Sequence, residues 1–280
     1  MSRVRVVTDS ACDLPQDLVD ELGIEIVPLT IRFGSEEFVD RRDLTPAQFW
    51  ARCKASPVLP ETAAPAPGAF QAAFTRAADE GCDGVVCVNL SGALSATHQA
   101  AVAAADAVAD RIPVRTVDSR SVTLGLGLMA LSAARAAAAG KSAEDVAGIA
   151  EDLIPRTRVF GALDTLEYLK KGGRIGGAQA LLGTMLSIKP IVEVVNGAVE
   201  GESKQRTRGR ALAYLVDKVR KAGEIEDLGV LTGAAPDLEP FLDQLGQVYP
   251  RDKIVVGDIG AVIGSHTGPG TIGVTFHVAG

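Results

Sequence analysis

Three times in the first half of the chain, a short apolar run rich in valine ends on a carboxylate or hydroxyl. The run from Arg3 to Thr8 stops at Asp9-Ser10, and Leu14, Leu18, Val19 and Leu22 then recur at helical spacing up to Gly23. Gly84 to Val88 feeds a loop at Ser91 and an alanine-rich helix to Ala109, and Val114 to Val117 ends at Asp118-Ser119. Strands alternating with helices require right-handed crossovers and a parallel sheet, whose ligands gather at the carboxyl ends of the strands. Ser10, Ser91, Ser95 and Ser119 all fall near that edge. Between these units, Ile24 to Phe33 reads as a second strand and residues 34 to 45 as charged connection. Thr45-Pro46 opens a helix through Phe49 and Trp50, since Thr is a good cap and Pro suits the first helical position. Thr62 to Gly68 reads as a rigid extended loop, because each proline fixes its own φ and biases its predecessor away from helix; Ala69 to Gly81 then reads as a helix.

Beyond about residue 150 the pattern changes. Arg158 to Leu163, Lys189 to Val195, Ala198 to Ser203, Gly229 to Thr232, Lys253 to Asp258 and Gly273 to Val278 read as strands. Asn196-Gly197 between two of them is a strong hairpin signal, which argues for an antiparallel or mixed sheet. The expectation is an α/β fold of two domains: residues 1–155 as a parallel-sheet α/β domain and 156–280 as an α+β domain with an antiparallel sheet. The cleft between them is the natural ligand site.

Composition narrows the function. Apolar residues make up 47% and charged residues 22% of the 280 residues, which suits a soluble globular protein. A net charge of −7 gives no general reason to bind nucleic acid. No stretch reaches the roughly eighteen uncharged apolar residues that span a bilayer, so no integral membrane insertion and a cytoplasmic location are expected. Cys12, Cys53, Cys82 and Cys87 lack both Cys-x-x-Cys pairing and neighbouring histidines, so reduced thiols are expected, with no metal site and no cofactor.

His266 sits in a run of glycines and hydroxyls, Gly264 to Gly273. Glycine lets backbone approach a ligand closely, and a histidine beside hydroxyls supplies donors able to hold an anion. In Leu163 to Gly177, Asp164 is read as the cap of a short helix and Gly172 as its stop. Arg174 then stands in a glycine turn, placed to clamp an anion or recruit a partner, before a second helix from Ala178 to Leu186. Lys204, Arg206 and Arg208 belong to the chain's one basic cluster, either a solvated face or a docking patch for an acidic protein. Gly125-Leu126-Gly127-Leu128-Met129-Ala130 matches a dinucleotide fingerprint but lies seven residues past Asp118 and not in the turn immediately after a strand, so close helix packing is the better reading. Ala139-Gly140-Lys141-Ser142 lacks the first glycine of a phosphate-binding loop. A serine-dependent lipid hydrolase using Ser95 or Ser91 with His266 is the alternative function, although Asn89-Leu90-Ser91-Gly92-Ala93 lacks the first glycine of a nucleophile elbow.

Taken together, Thr8-Asp9-Ser10, Thr62 to Pro67, Leu94 to Thr97, Asp118-Ser119, Leu166 to Gly176, Ile188 to Ile191, Arg206-Thr207-Arg208 and His266 to Gly270 resemble the DegV family of fatty-acid-binding proteins that serve bacterial fatty acid kinase. The resemblance spans essentially the whole chain. It implies a long-chain fatty acid, such as palmitate, stearate or oleate, buried between the two domains, with no catalysis by this chain itself. It implies that Thr62 and Ser95 hydrogen-bond the carboxylate, with His266 supporting the polar network and Arg174 nearer the mouth. Lys204, Arg206 and Arg208 fall where family members engage the kinase catalytic subunit. The chain departs from the usual pattern at Ala63, Ala64 and Gly92, where family members carry further polar side chains. Leu181, Leu182, Met185 and Phe276 are the expected shapers of the pocket. Burying a methylene contributes about 0.8 kcal/mol, so a chain of roughly fifteen contributes on the order of 12 kcal/mol gross, reduced by association entropy and acyl ordering.

Overall fold

The computed structural model describes residues 2–182 and 188–280. The first strand, β1 (Val4–Asp9), leads to α1 (Gln16–Leu22), closed by Gly23 at φ +60. Strand β2 (Glu25–Val27) follows, and here the expected single strand from Ile24 to Phe33 proves to be two. Pro28 cannot donate to a ladder; past it the chain leaves the parallel sheet, and Leu29 N donates to Ser10 Oγ at 3.1 Å. The next strand, β3 (Thr30–Phe33), pairs instead with β4 (Glu36–Val39) and β5 (Glu61–Ala63) in a small antiparallel sheet. The stretches read as charged connection and extended loop therefore each contain a strand, and Thr62 lies opposite Ile31.

Helix α2 (Pro46–Ala55) starts with the reciprocal Thr45–Gln48 capping box. Then come α3 (Pro67–Asp79), β6 (Gly84–Asn89), α4 (Thr97–Ala107), β7 (Val114–Asp118), α5 (Thr123–Ala138) and α6 (Ala143–Leu153). The parallel sheet has the order β2-β1-β6-β7.

The second half contributes β8 (Thr157–Ala162), α7 (Glu167–Lys171), β9 (Lys189–Val195), β10 (Ala198–Gln205), α8 (Arg208–Lys221), β11 (Ile225–Thr232), α9 (Leu238–Leu245), β12 (Ile254–Asp258), α10 (Ala261–Thr267) and β13 (Ile272–Val278). Its six-stranded sheet runs β10-β9-β8-β13-β11-β12 and is mixed, antiparallel except for the β11–β12 pair. At the hairpin, Asn196 and Gly197 have φ +52 and +84, the positive values that a type I′ turn needs. Two local expectations are corrected. Thr165 Oγ1, not Asp164, accepts from Glu167 N at the start of α7, while Asp164 accepts from Lys189 Nζ at 2.6 Å. The helix expected from Ala178 is instead a 3-10 segment, Gly176–Leu181, ending in extended Leu182; the rest of that expected helix, Met185 included, lies outside the described residues.

The element joining the two sheets is α5, buried without a break from Thr123 through Leu131. A helix apolar all round belongs in an interior, and one hydrophobic cluster links Val86, Leu124, Val159, Leu231 and Val262 through it. Its glycines are packing glycines, as expected. A methyl on Gly127 would sit 2.5 Å from Cys12 O, and one on Gly125 would sit 2.5 Å from Val159. On the opposite face of the mixed sheet, α8 and α9 cover a second core in which Phe160 stacks on Phe276.

Candidate functional site

Four distant segments meet at one cavity of about 220 Å³. Thr62 comes from β5, Ser95 from the loop before α4, Arg174 from the turn after α7 and His266 from α10; all four line it. Leu29, Leu90, Leu94, Val122, Val262 and Ile263 supply its apolar wall.

His266 Nε2 and Thr62 Oγ1 are 3.0 Å apart. Burial, with the Arg174 cation nearby, pushes the imidazole down to about 4, so it is neutral at physiological pH. The glycines around it make room for rings. A methyl on Gly172 would collide with His266 Nδ1, one on Gly264 would sit 2.6 Å from Phe49, and one on Gly268, at φ +75, would sit 2.6 Å from Tyr168. Ser95 Oγ lies 2.9 Å from Thr97 Oγ1 and accepts from Thr97 N at 3.3 Å, placing it at the amino end of α4, where the helix dipole favours negative charge. Arg174 donates from Nε to Leu94 O at 3.1 Å and from Nη1 to Gly172 O at 2.7 Å, so it fastens the turn after α7 to the loop before α4. The result is a half-buried polar end with two hydroxyls, a neutral imidazole and one guanidinium. Such a set can hold a carboxylate without burying it unpaired.

Behind the polar end lies a smaller apolar chamber of about 70 Å³. The two spaces share Val122, Leu169, Val199, Ile263 and Thr267. The chamber reaches the mixed sheet at Phe160, Gly161, Val192, Leu231 and Gly273. The Thr267 and Thr271 hydroxyls in its wall already donate to Ile263 O at 3.2 Å and Gly268 O at 3.0 Å. A ligand with one charged end and a long apolar tail fits this order of surfaces.

The residues that shape the space differ from those expected. Leu181 packs against Gly201, Leu182 is 36% exposed, and Phe276 belongs to the core on the far face of the sheet. Leu29, Val122, Val199 and Ile263 take that role instead. A larger polar cleft of about 800 Å³, with Asp118, Arg120, Glu151 and Glu193 in its walls, meets the chamber at Val159 and Val194.

The serines are not arranged as nucleophiles. Ser91 is fully buried and donates to Gly197 O at 2.7 Å. His266 pairs with Thr62, and among the described residues its Nδ1 has no hydrogen-bond partner, hence no carboxylate there to orient the ring as a general base requires. In the basic cluster, Lys204 and Arg206 are exposed, whereas Arg208 makes a two-pronged pair with Asp237 at 2.8 and 2.8 Å and holds that carboxyl below its ordinary range. Among the described residues, no group of His, Cys, Asp and Glu is placed to hold a metal ion, and no helix is long and apolar enough to cross a membrane.

Comparison with known proteins agrees with this architecture. Residues 3–278 match the family described as "Uncharacterised protein, DegV family". A DegV domain-containing protein of Streptomyces coelicolor is 40% identical over 280 residues, covering 98% of each chain. Among solved structures, a DegV family protein from Thermus thermophilus described for its fatty acid binding superposes with a TM-score of 0.90 at 35% identity, covering 99% of this chain and 100% of its own. DegV of Bacillus subtilis, described as a fatty acid binding protein, superposes with a TM-score of 0.88 at 29% identity over 100% of both chains. The chain belongs to the DegV family.

Proposed function

We propose that the chain binds one long-chain free fatty acid, such as palmitate, stearate or oleate, and presents its carboxylate to a separate ATP-dependent fatty acid kinase. It acts as a carrier of fatty acid or acyl-phosphate and not as a catalyst. The observation that carries the reading is the adjacency of two unlike surfaces: the cavity at the Thr62–Ser95–Arg174–His266 end shares Val122, Leu169, Val199, Ile263 and Thr267 with the apolar chamber. The fatty-acid binding described for the relatives from Thermus thermophilus and Bacillus subtilis supports it. Thr62 and Ser95 donate to the carboxylate, the neutral His266 orients Thr62, and Arg174 stands at the rim. Neutral donors satisfy the charge without locking it in a permanent ion pair, which suits a group that must later accept a phosphoryl group.

The test is denaturing extraction of the purified protein and lipid mass spectrometry, with Thr62→Ala/Ser95→Ala alongside. Near-stoichiometric fatty acid in the native protein, depleted in the double variant, is expected; a native protein that is empty and takes up no added fatty acid would overturn the reading. Docking of the kinase is assigned to Lys204, Arg206 and Arg208. Arg206→Glu is the cleaner probe, because Arg208 is also engaged by Asp237. It should lower kinase-coupled turnover while leaving bound lipid unchanged; unaltered turnover would remove the assignment.

A further inference from the structure

The chamber is bounded by one transverse row of the mixed sheet. Strand register places Gly201, Val192, Gly161, Gly273, Leu231 and Gly257 side by side across all six strands, hence on one face. A glycine inside a strand weakens it and marks a place where something approaches closely. For the two outer glycines that something is protein. The space over Gly201 is filled by the Leu181 side chain, and a methyl on Gly257 would sit 2.8 Å from Asp13 O. The inner pair differs. A methyl on Gly161 would meet Leu163 at 3.2 Å and Val192 at 3.5 Å, and one on Gly273 would meet Phe160 O at 3.3 Å and Leu231 at 3.8 Å. These nearest atoms all belong to the sheet or to the residue just past β8, and none of them is a helix atom. Both glycines line the chamber.

We infer that Gly161 and Gly273 set the depth of the acyl chamber and so the longest fatty acid the chain accepts, with Val192 and Leu231 as the walls on either side. The inference rests on the fatty-acid reading above and names the residues that fix its chain-length preference. A side chain at either glycine would project among Leu163, Val192 and Leu231, all chamber-lining, and would shorten the space available to the terminal methylenes. Trimming Val192 would do the reverse. Neither change touches the polar end.

The test measures competitive binding of laurate, myristate, palmitate, stearate and arachidate to delipidated wild type, Gly161→Ala, Gly161→Val and Val192→Ala. The Gly161 variants should move the preference to shorter chains, with affinity for the longer acids falling about fourfold for each methylene excluded. Val192→Ala should move it to longer chains. Folded Gly161 variants with the wild-type length profile would overturn the inference. If the Gly161 variants do not fold, an unshifted profile in Val192→Ala overturns it instead. A wild type that binds none of the acids would overturn the fatty-acid reading itself, a result distinct from binding with an unmoved profile.

Discussion

At the scale of single residues, His266 is kept neutral by burial, with the Arg174 cation nearby. Its Nδ1 has no partner among the described residues, and a buried donor left unpaired costs about 1–3 kcal/mol. The ring proton therefore belongs on Nε2, donated to Thr62 Oγ1, which frees the Thr62 hydroxyl hydrogen to point at a carboxylate. Thr62→Val, which keeps the shape and removes the donor, should weaken fatty-acid binding by roughly tenfold, the loss of one hydrogen bond to a charged group; titration of delipidated protein measures it. Gly172→Ala is the complementary case, because its methyl meets His266 Nδ1 and its three nearest atoms include no ligand-facing hydroxyl. Binding should fall in Gly172→Ala and fall no further when the change is added to His266→Ala, since both then act through one ring. Additive losses in that cycle would show that Gly172 acts by another route. Ionisation follows with a definite sign. The folded-state value of His266 lies below its ordinary 6.5, so the unfolded chain takes up a proton first as pH falls, and this residue's contribution to stability is lost between about pH 6.5 and pH 4.

Among elements, α10 matters most because it carries His266, and its start is fixed from the first half of the chain. Asp13 accepts from Gly260 N at 3.0 Å with one carboxyl oxygen and from Thr123 Oγ1 at 2.6 Å with the other, tying the turn after β1 to the starts of α5 and α10. Asp13 and Thr123 have φ +49 and +53, and a β-branched residue in that region is held there only by its surroundings. Burial pushes the Asp13 carboxyl up to about 7 from 3.8, against the hydrogen bonds from Thr123 and Gly260. The folded chain then holds a proton that the unfolded chain has released, so this group costs stability progressively as pH rises through about 4 to 7. Asp13→Asn has no such titration, and its amide can accept from Gly260 N and donate to Thr123 Oγ1. Its melting temperature relative to wild type should therefore climb as pH is raised across that window; a constant difference would mean that Asp13 is ionised throughout. Legibility in the sequence divides along the same physical lines. The β-α alternation and the Asn196-Gly197 hairpin were legible because strand period and turn chemistry are local. The break at Pro28 and the β3–β4–β5 sheet were not, since those strands are short, partly exposed and paired over distance. Arg174 and His266 stood out as polar groups in glycine turns and Ser95 as a hydroxyl near the strand ends, whereas Thr62 was pointed to by the family resemblance. Leu29, Val122 and Ile263 did not, because an apolar residue facing a cavity carries the same signature as one facing a core.

For the whole molecule, the placement of α5 decides how the two sheets behave. Its residues pack with Val86 on one side and with Val159 and Leu231 on the other, in one continuous cluster. A chain cut after residue 155 would expose the half of that helix meant for the mixed sheet, so the first half alone should lack fixed side-chain packing, visible as a weak near-ultraviolet circular dichroism signal. The intact chain should unfold in one calorimetric transition. A fatty acid bound only by the folded state should raise that transition by mass action, by about 2.7 kcal/mol of stability when free ligand stands at a hundred times its dissociation constant. Trp50, the single tryptophan, provides an internal reporter, since its Nε1 donates to Ile259 O at 3.2 Å just before α10 and its ring packs on Gly264. Filling the cavity should change its emission with the same concentration dependence as the shift in melting. Two separate transitions, only one of them moved by fatty acid, would mean that α5 belongs energetically to the parallel sheet alone and that the ligand is held by one half of the molecule.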